Sequence, residues 1–325
     1  DDSPRHVLAE LSDEVAALSR ELGRPLSLIA ESDLNDPRIV RPRELGGFGV
    51  HAQWCDDFHH ALHAVLTGER QGYYADYGSW DHLARALQQA FVLDGRWSTH
   101  RRRRHGRPIG DLGGERFVVS LQNHDQVGNR ALGERIAHLA GPRFAKVGAA
   151  LTLLSPFVPL LFQGEEWAAS SPFLYFADHA DPQLAEGVRQ GRKREFADFL
   201  GGGGEIPDPE SEATFERSKL VWEERSAEAH ARMLAWYRTL IALRRSRPEL
   251  RDGRLDRVRV RHDEASRWLT MQRGPIVVAA NLGVSPCAIR VAGGTVLAAT
   301  GGAQLARGVL TLSASSVAVL ETRGA

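Results

Sequence analysis

Cysteine is nearly absent from this sequence. The 325 residues contain two, Cys55 and Cys287, which lie far apart and form no Cys-x-x-Cys pair. Secreted disulfide scaffolds and cysteine metal sites need several clustered thiols, so neither class is indicated. His59 and His63 lie four apart on a predicted helix, but the zincin glutamate between them is missing and no third ligand is evident. We therefore expect no metal site and a reducing compartment, the cytoplasm.

Long apolar runs are absent as well. No segment offers the roughly 18 consecutive apolar residues that a membrane-spanning helix needs. Residues 1–25 are amphipathic, whereas a signal peptide has a basic start followed by an apolar stretch. We therefore expect neither membrane insertion nor secretion.

The sequence also lacks net charge. Lysine and arginine total 41, as do aspartate and glutamate, so the formal net charge is zero. Domains that bind nucleic acids are usually strongly basic, and the run Arg101 to Arg104 lacks the interleaved aromatic residues that stack on bases. We expect a neutral partner and no nucleic acid, with a solvated or substrate-rim loop at this arginine run.

Apolar residues are plentiful, at 42% of the chain, which suffices for a sizeable core. Helical patterns alternate with short apolar runs, starting with a helix from about Ser3, predicted as its N-cap, and including another that Ser79 caps. Long helices are predicted near 182–200 and 226–246, with a glycine-rich loop at 201–204. The predicted strands are Leu26 to Glu31, Gly49 to Trp54, Arg116 to Leu121 and Phe157 to Phe162.

This order of elements predicts a parallel α/β architecture. Beyond Arg251 the pattern changes to short alternating runs separated by glycines, which predicts a small all-β sandwich. We therefore divide the chain into residues 1–250 and 251–325.

Two carboxylates lie at or just past the ends of predicted parallel strands. These are Glu31 and Asp125, in the position where barrel enzymes gather their catalytic side chains. A retaining glycosidase needs one carboxylic acid to protonate the leaving oxygen and one carboxylate to attack the anomeric carbon. By position alone, an acidic residue at a strand end is more often a cap or an ion-pair partner. The pair nevertheless suggests glycoside chemistry, with Glu31 as the candidate acid.

The residues around both carboxylates resemble a known family. Ile29 to Asp36 (IAESDLND) and Leu121 to Arg130 (LQNHDQVGNR) resemble the third and fourth shared regions of the α-amylase family. The resemblance implies that Glu31 is the general acid/base, while Asp125 holds sugar hydroxyls and favours the distorted, oxocarbenium-like ring. It implies that His124, with Asn123 beside it, hydrogen-bonds the same sugar, and that no cofactor is needed.

Further stretches narrow the resemblance to the trehalohydrolases of this family, which act on maltooligosyltrehalose. The resemblance implies a maltooligosaccharide substrate ending in trehalose, cleaved at the adjacent α-1,4 bond so that trehalose is released with retention. It also implies that residues 1–250 are the second half of a (β/α)8 barrel, with an N-terminal β domain, four strand and helix units and the nucleophilic aspartate upstream. The stretches are 53–62 (QWCDDFHHAL), 72–77 (GYYADY) and 173–179 (FLYFADH), and 161–166 (LFQGEE) resembles the end of the eighth barrel strand in the same family.

Additional residues are candidates for contact with substrate. Trp54 and Tyr74 could stack on sugar faces at the barrel mouth, although ordinary core packing is an equal alternative. Asp56 and Asp57 follow a predicted strand, and aspartate before a helix is commonly an N-cap. We expect one residue in each role, with Asp57 contacting substrate.

Two alternatives remain open at this point. One is another α-glucan-active enzyme, such as a branching or debranching enzyme, which would share Glu31 and Asp125. The other is a non-catalytic chain that binds glucan through its aromatic residues.

Overall fold

A computed structural model describes residues 1, 3–196 and 206–323 of the chain. The chain divides into two compact units. Unit 1 comprises Asp1–Leu121, Lys146–Leu160 and Thr239–Ala325, and unit 2 comprises Gln122–Ala145 and Leu161–Arg238. No helix in the described ranges is long and apolar enough to cross a membrane.

The elements follow one another in the order expected of an α/β chain with a β-rich end. In the described residues the helices are α1 (Val7–Glu21), α2 (Asp56–Thr67), α3 (Trp80–Gln89), α4 (His124–Gly128), α5 (Ile136–Leu139), α6 (Gly141–Leu153), α7 (Pro182–Glu195), α8 (Glu212–Ser218) and α9 (Glu228–Ser246). The strands are β1 (Ile29–Ala30), β2 (Ala52–Trp54), β3 (Arg96–Ser98), β4 (Arg103–His105), β5 (Phe117–Ser120), β6 (Val158–Leu160), β7 (Val258–Asp263), β8 (Trp268–Arg273), β9 (Ile276–Asn281), β10 (Cys287–Arg290), β11 (Gly294–Ala299), β12 (Ala303–Ala306), β13 (Val309–Leu312) and β14 (Ser316–Thr322).

A parallel sheet in unit 1 has the strand order β1-β2-β5-β6. All three neighbouring pairs are parallel, with Ile29 opposite Ala52 and Val118 opposite Val158. The four strands lie within the four apolar runs predicted from the sequence, so the predicted parallel α/β architecture is confirmed. Because parallel strands all point the same way, their carboxyl ends share one edge of the sheet.

Helix boundaries agree with the sequence patterns in part. Ser79 caps α3 as predicted, accepting a hydrogen bond from the backbone N–H of His82. The predicted cap at Ser3 is wrong, because α1 begins at Val7 and the Nδ1 atom of His6 accepts the capping hydrogen bond from Leu8 N. α7 ends at Glu195, and residues 197–204, which include the end of a predicted helix and the predicted glycine-rich loop, lie outside the described residues.

The two outer strands of the parallel sheet carry exposed apolar side chains. Ile29 of β1 is 48% exposed and Val158 of β6 is 40% exposed. Helix α1 also leaves Val7, Leu11 and Leu18 exposed. Apolar side chains gathered along open sheet edges normally pack against further structure.

The β-rich end of the chain contains two antiparallel sheets. One has the strand order β11-β14-β9-β8-β7 and the other the order β10-β13-β12. Val277 and Leu320 from the first sheet share a buried cluster with Ile289, Leu310 and Leu312 from the second. The predicted β-rich C-terminal part is confirmed.

Two arginines, the half-buried Arg244 and the buried Arg273, bind the loop that precedes β6. Arg244 of α9 donates hydrogen bonds to the carbonyl oxygens of Leu153 (2.6 Å), Ser155 (2.8 Å) and Phe157 (2.6 Å). Arg273 of β8 donates to the carbonyls of Leu154 (2.9 Å), Ser155 (2.8 Å), Leu250 (3.1 Å) and Asp252. Burial lowers the pKa of Arg273 to about 10, helped by the neighbouring Arg244 charge. At neutral pH the Arg273 guanidinium therefore remains charged, and both arginines satisfy carbonyls that would otherwise lack donors.

Candidate active site

The candidate acid lies at the carboxyl end of the parallel sheet. Strand β1 ends at Ala30, and Glu31 follows it with an exposed side chain. Residues 31–36 form the loop that carries Glu31, and we call this segment the acid loop. Glu31 therefore lies at the end of a parallel strand, as the sequence predicts, and its catalytic role stays a prediction.

Asn35 connects the acid loop to the protein interior through hydrogen bonds. It is buried and adopts the left-handed backbone conformation, with φ of 51°, which asparagine tolerates better than most residues. Its Nδ2 atom donates to Asp57 Oδ2 (2.9 Å) and to the carbonyl oxygen of Leu93 (3.0 Å). Both protons of one amide are thus used to tie the loop to the protein interior.

Asp57 has a structural environment. It is buried, and its carboxylate accepts hydrogen bonds from Tyr77 Oη (2.5 Å), Val92 N (2.6 Å) and Leu93 N (2.7 Å) as well as from Asn35. Burial raises the pKa of Asp57, and the four donated hydrogen bonds oppose that rise. Since these donors all belong to the protein, the geometry supports a structural role in place of the expected contact with substrate.

Tyr74 belongs to a cluster of histidine and tyrosine side chains in unit 1. It is buried, its hydroxyl lies 3.0 Å from His59 Nε2, and its ring stacks on His63 with centroids 4.3 Å apart. His59 Nδ1 lies 2.8 Å from the carbonyl oxygen of Leu121, and His63 Nε2 lies 2.8 Å from Glu69 Oε2. One face of Tyr74 is therefore covered by protein, which favours the packing alternative over sugar stacking.

Trp54 remains accessible by comparison. It is the last residue of β2 and is half-buried, so it is less enclosed than the buried Tyr74. Cys55, not Asp56, is the residue that precedes the first turn of α2, and it makes no side-chain cap. The expectation that Asp56 caps this helix is therefore wrong.

Asn123, His124 and Asp125 lie together in one turn of unit 2. Asn123 is buried, and its Oδ1 accepts hydrogen bonds from Asp125 N (2.9 Å) and Gln126 N (3.4 Å), which starts α4. His124 is exposed and Asp125 is half-exposed, with Asp125 Oδ1 accepting from Asn129 Nδ2. The geometry makes Asn123 the cap that orients the two more accessible residues.

Unit 2 contains a buried ionisable cluster of Glu165, Tyr237 and Arg135, which was not predicted from the sequence. Burial raises the pKa of Glu165 to about 8, and Tyr237 donates a hydrogen bond to Glu165 Oε1 (3.1 Å). Arg135 is buried and donates to the carbonyl oxygens of Ser171 and Gln163, each at 2.7 Å. Glu165 lies in the stretch LFQGEE and could have been singled out there, whereas nothing in the sequence marks Arg135 as buried.

The residues that the structure describes contain no group of three or more histidine, cysteine, aspartate or glutamate side chains arranged to hold an ion. His59 and His63 are engaged with Tyr74 and Glu69 as described.

Comparison with known proteins identifies relatives over most of the chain. The malto-oligosyltrehalose trehalohydrolase of Mycobacterium tuberculosis is 49% identical over 296 residues, which is 90% of this chain and 51% of the relative. That of Rhizobium sp. (strain M-11) is 44% identical, covering 98% of this chain and 54% of the relative. The predicted resemblance to the trehalohydrolases is confirmed. The chain spans about half the length of the curated relatives it matches.

Solved structures described as α-amylases superpose on this chain. A Salmonella typhimurium protein described as an α-amylase superposes with a TM-score of 0.86 at 37% identity, covering 99% of this chain and 55% of that one. An α-amylase from H. orenii superposes with a TM-score of 0.55 at 16% identity, covering 97% and 57%, which shows a shared fold alone. Residues 253–319 match a domain family described as a domain of unknown function (DUF3459).

Proposed function

We propose that the protein containing this chain is a glycoside hydrolase that releases trehalose from maltooligosyltrehalose. It cleaves the α-1,4-glucosidic bond beside the trehalose end, with retention of configuration. The observation that carries the proposal is the identity of 42–49% to malto-oligosyltrehalose trehalohydrolases over most of the chain. The likeness to pullulanases and debranching enzymes, at 15–18% identity, supports the fold and favours no second activity.

Each candidate residue has a role in this proposal. Glu31 protonates the leaving oxygen and later deprotonates water, since its carboxyl group is exposed at the carboxyl end of β1. Asp125 stabilises the oxocarbenium-like sugar, and His124 hydrogen-bonds a sugar hydroxyl. Asn123 orients this pair as the cap of α4, and the half-buried Trp54 stacks on a sugar ring. The nucleophilic aspartate comes from the part of the longer protein that this chain does not include, and no cofactor takes part.

A half-barrel accounts for the exposed edges of the parallel sheet. The open edges of β1 and β6 carry Ile29 and Val158, and closing a barrel would cover both. Residues 1–250 would then be the second half of a (β/α)8 barrel and 251–325 a separate β-sandwich domain. The sparse cysteine content supports a cytoplasmic location.

The test is Glu31→Gln in the longer protein as its source produces it. Release of trehalose from maltooligosyltrehalose should fall by about 10²- to 10⁴-fold, because the leaving oxygen loses its proton donor. Glu14→Gln is the matched control, since Glu14 is an exposed glutamate on α1, and it should leave the rate unchanged. Near-normal trehalose release by Glu31→Gln would contradict the assignment of the acid.

The parent activity itself must be assayed against the alternatives. Trehalose release without branching or debranching of glycogen supports the proposal, whereas action on glycogen alone would replace it. The intact mass of the protein tests the remaining alternative, a non-catalytic chain that binds glucan. A mass no greater than that of these 325 residues would leave the nucleophile unsupplied and would favour a glucan-binding chain.

A further inference from the structure

The arginine run that the sequence analysis left unassigned lies in a hairpin of unit 1. Strands β3 and β4 pair in antiparallel fashion, with Trp97 opposite Arg104. Asp76 holds one side of the hairpin, accepting hydrogen bonds from Ser98 Oγ and from Thr99 N. The hairpin is therefore an ordered element, and Arg102, Arg103 and Arg104 are exposed on it, as expected of a solvated segment.

The other side of the hairpin contacts the acid loop. Arg101 Nη2 forms an ion pair with Asp33 Oδ2 at 2.7 Å, two residues after Glu31. His105 Nε2 donates to the carbonyl oxygen of Asp33 at 2.8 Å, and Arg107 N donates to the carbonyl oxygen of Asn35 at 3.0 Å. Both the side chain and the backbone of Asp33 are thus held by the hairpin.

Electrostatics favour the charged form of this contact. Burial opposes ionisation of Asp33, but the hydrogen bond and charge of Arg101 outweigh it and hold the pKa of Asp33 below its usual range. The Arg101 side chain is 27% exposed and that of Asp33 is 53% exposed. Exposed ion pairs contribute little to folding stability, so the pair can act on the loop without being needed for folding.

We propose that Arg101 is a positioning residue, which through its ion pair with Asp33 holds the acid loop so that the Glu31 carboxyl group meets the leaving oxygen. The inference rests on the proposed function, in which Glu31 is the acid. Its physical basis is that proton transfer requires donor and acceptor within hydrogen-bond reach. Asn35 ties one end of the loop to the interior, and Asp33, two residues after Glu31, has the hairpin as the partner of both its side chain and its carbonyl oxygen.

The experiment compares two leaving groups in the longer protein that contains this chain. Maltooligosyltrehalose has a poor leaving group, the trehalose oxygen, which needs protonation. The nitrophenolate of a nitrophenyl α-maltooligoside is a good leaving group and departs without protonation. Arg101→Ala should lower kcat for trehalose release by about 10- to 100-fold, as expected for a misplaced catalytic group. KM should change little, and the nitrophenyl substrate should be affected several-fold less, as general acid catalysis requires.

Controls separate positioning from folding. Arg103→Ala removes the same charge from the same hairpin, where Arg103 is exposed and makes no ion pair among the described residues, and it should leave both rates unchanged. Arg101→Lys keeps a charge near Asp33 and should restore part of kcat. Thermal unfolding of all three variants should match that of the parent.

The outcomes are distinguishable. Equal losses on both substrates, or a change confined to KM, would overturn the positioning role. So would an effect of Arg103→Ala as large as that of Arg101→Ala. If Glu31→Gln itself shows no preference for the nitrophenyl substrate, the proposed function fails, and if only Arg101→Ala lacks that preference, the positioning role alone fails.

Discussion

Glu165 makes the pH dependence of folding testable by one isosteric change. Its carboxyl group is buried, and burial raises its pKa from the usual 4.5 to about 8. Tyr237 donates a hydrogen bond to Oε1, while Oε2 has no hydrogen-bond partner in the described structure. Glu165→Gln keeps an acceptor for Tyr237 and removes the ionisable group, so it isolates the effect of the charge.

The sign follows from comparing folded and unfolded chains. Below pH 4.5 both hold the proton, and the substitution should be close to neutral. Between pH 4.5 and about 8 the unfolded chain ionises while the folded chain keeps its proton, so the parent loses stability as pH rises. At 1.36 kcal/mol for each pH unit, the free energy of unfolding of Glu165→Gln should exceed that of the parent by about 3 kcal/mol at pH 7 and by about 5 kcal/mol above pH 8.

Urea unfolding of parent and variant, followed by circular dichroism near pH 5, 7 and 8.5, measures this difference. Glu166→Gln is the matched control, because Glu166 is the neighbouring glutamate and is only half-buried, and its difference from the parent should vary far less with pH. A Glu165→Gln advantage that does not grow with pH would refute the reasoning. It would mean that Glu165 is ionised in the folded protein at neutral pH.

Three further substitutions test the packing described above, and the costs given are losses in the free energy of unfolding, measured in urea. Asp57→Ala leaves the donors of Tyr77, Val92 and Leu93 unpaired in the interior and should cost about 3–6 kcal/mol, and a cost below 1 kcal/mol would contradict its structural role. Gly106→Ala should lower the free energy of unfolding by more than about 1 kcal/mol, because φ is +75° and a Cβ would clash with the carbonyl oxygen of Leu93, and unchanged stability would show that this backbone can shift. Arg273→Met should cost about 3–5 kcal/mol by stranding buried carbonyls, whereas an exposed arginine such as Arg290 should tolerate the same change.

Elements that depend on local pattern were predictable from the sequence. The four parallel strands follow from short apolar runs, and the cap at Ser79 follows from its place before a helical pattern. Glu31 and Asp125 could be selected because each follows a strand within a stretch resembling a known family. Their roles stay predictions until the substitutions are made.

Features that depend on distant partners could not be predicted. From the sequence, Asp57 is only an aspartate that follows a predicted strand. Its hydrogen-bond partners Asn35 and Val92 are distant in sequence and come close to its carboxylate only in the folded protein. The hairpin of β3 and β4 carries too few apolar residues to give a strand pattern, and contacts with Asp33 and Asp76 hold it. Burial of Arg135 depends on carbonyl oxygens about 30 residues away in the chain, at Gln163 and Ser171.

The two arginines that bind the loop before β6 have a consequence for dissecting this protein. Arg244 and Arg273 come from a helix and from a strand of the β-rich end, yet both donate to the carbonyl oxygen of Ser155. A truncation before residue 253 would remove Arg273 and leave the buried carbonyl oxygens that it binds without this hydrogen-bond donor. The change of architecture near residue 250 therefore marks a boundary between folding patterns but a poor place to divide the polypeptide for expression.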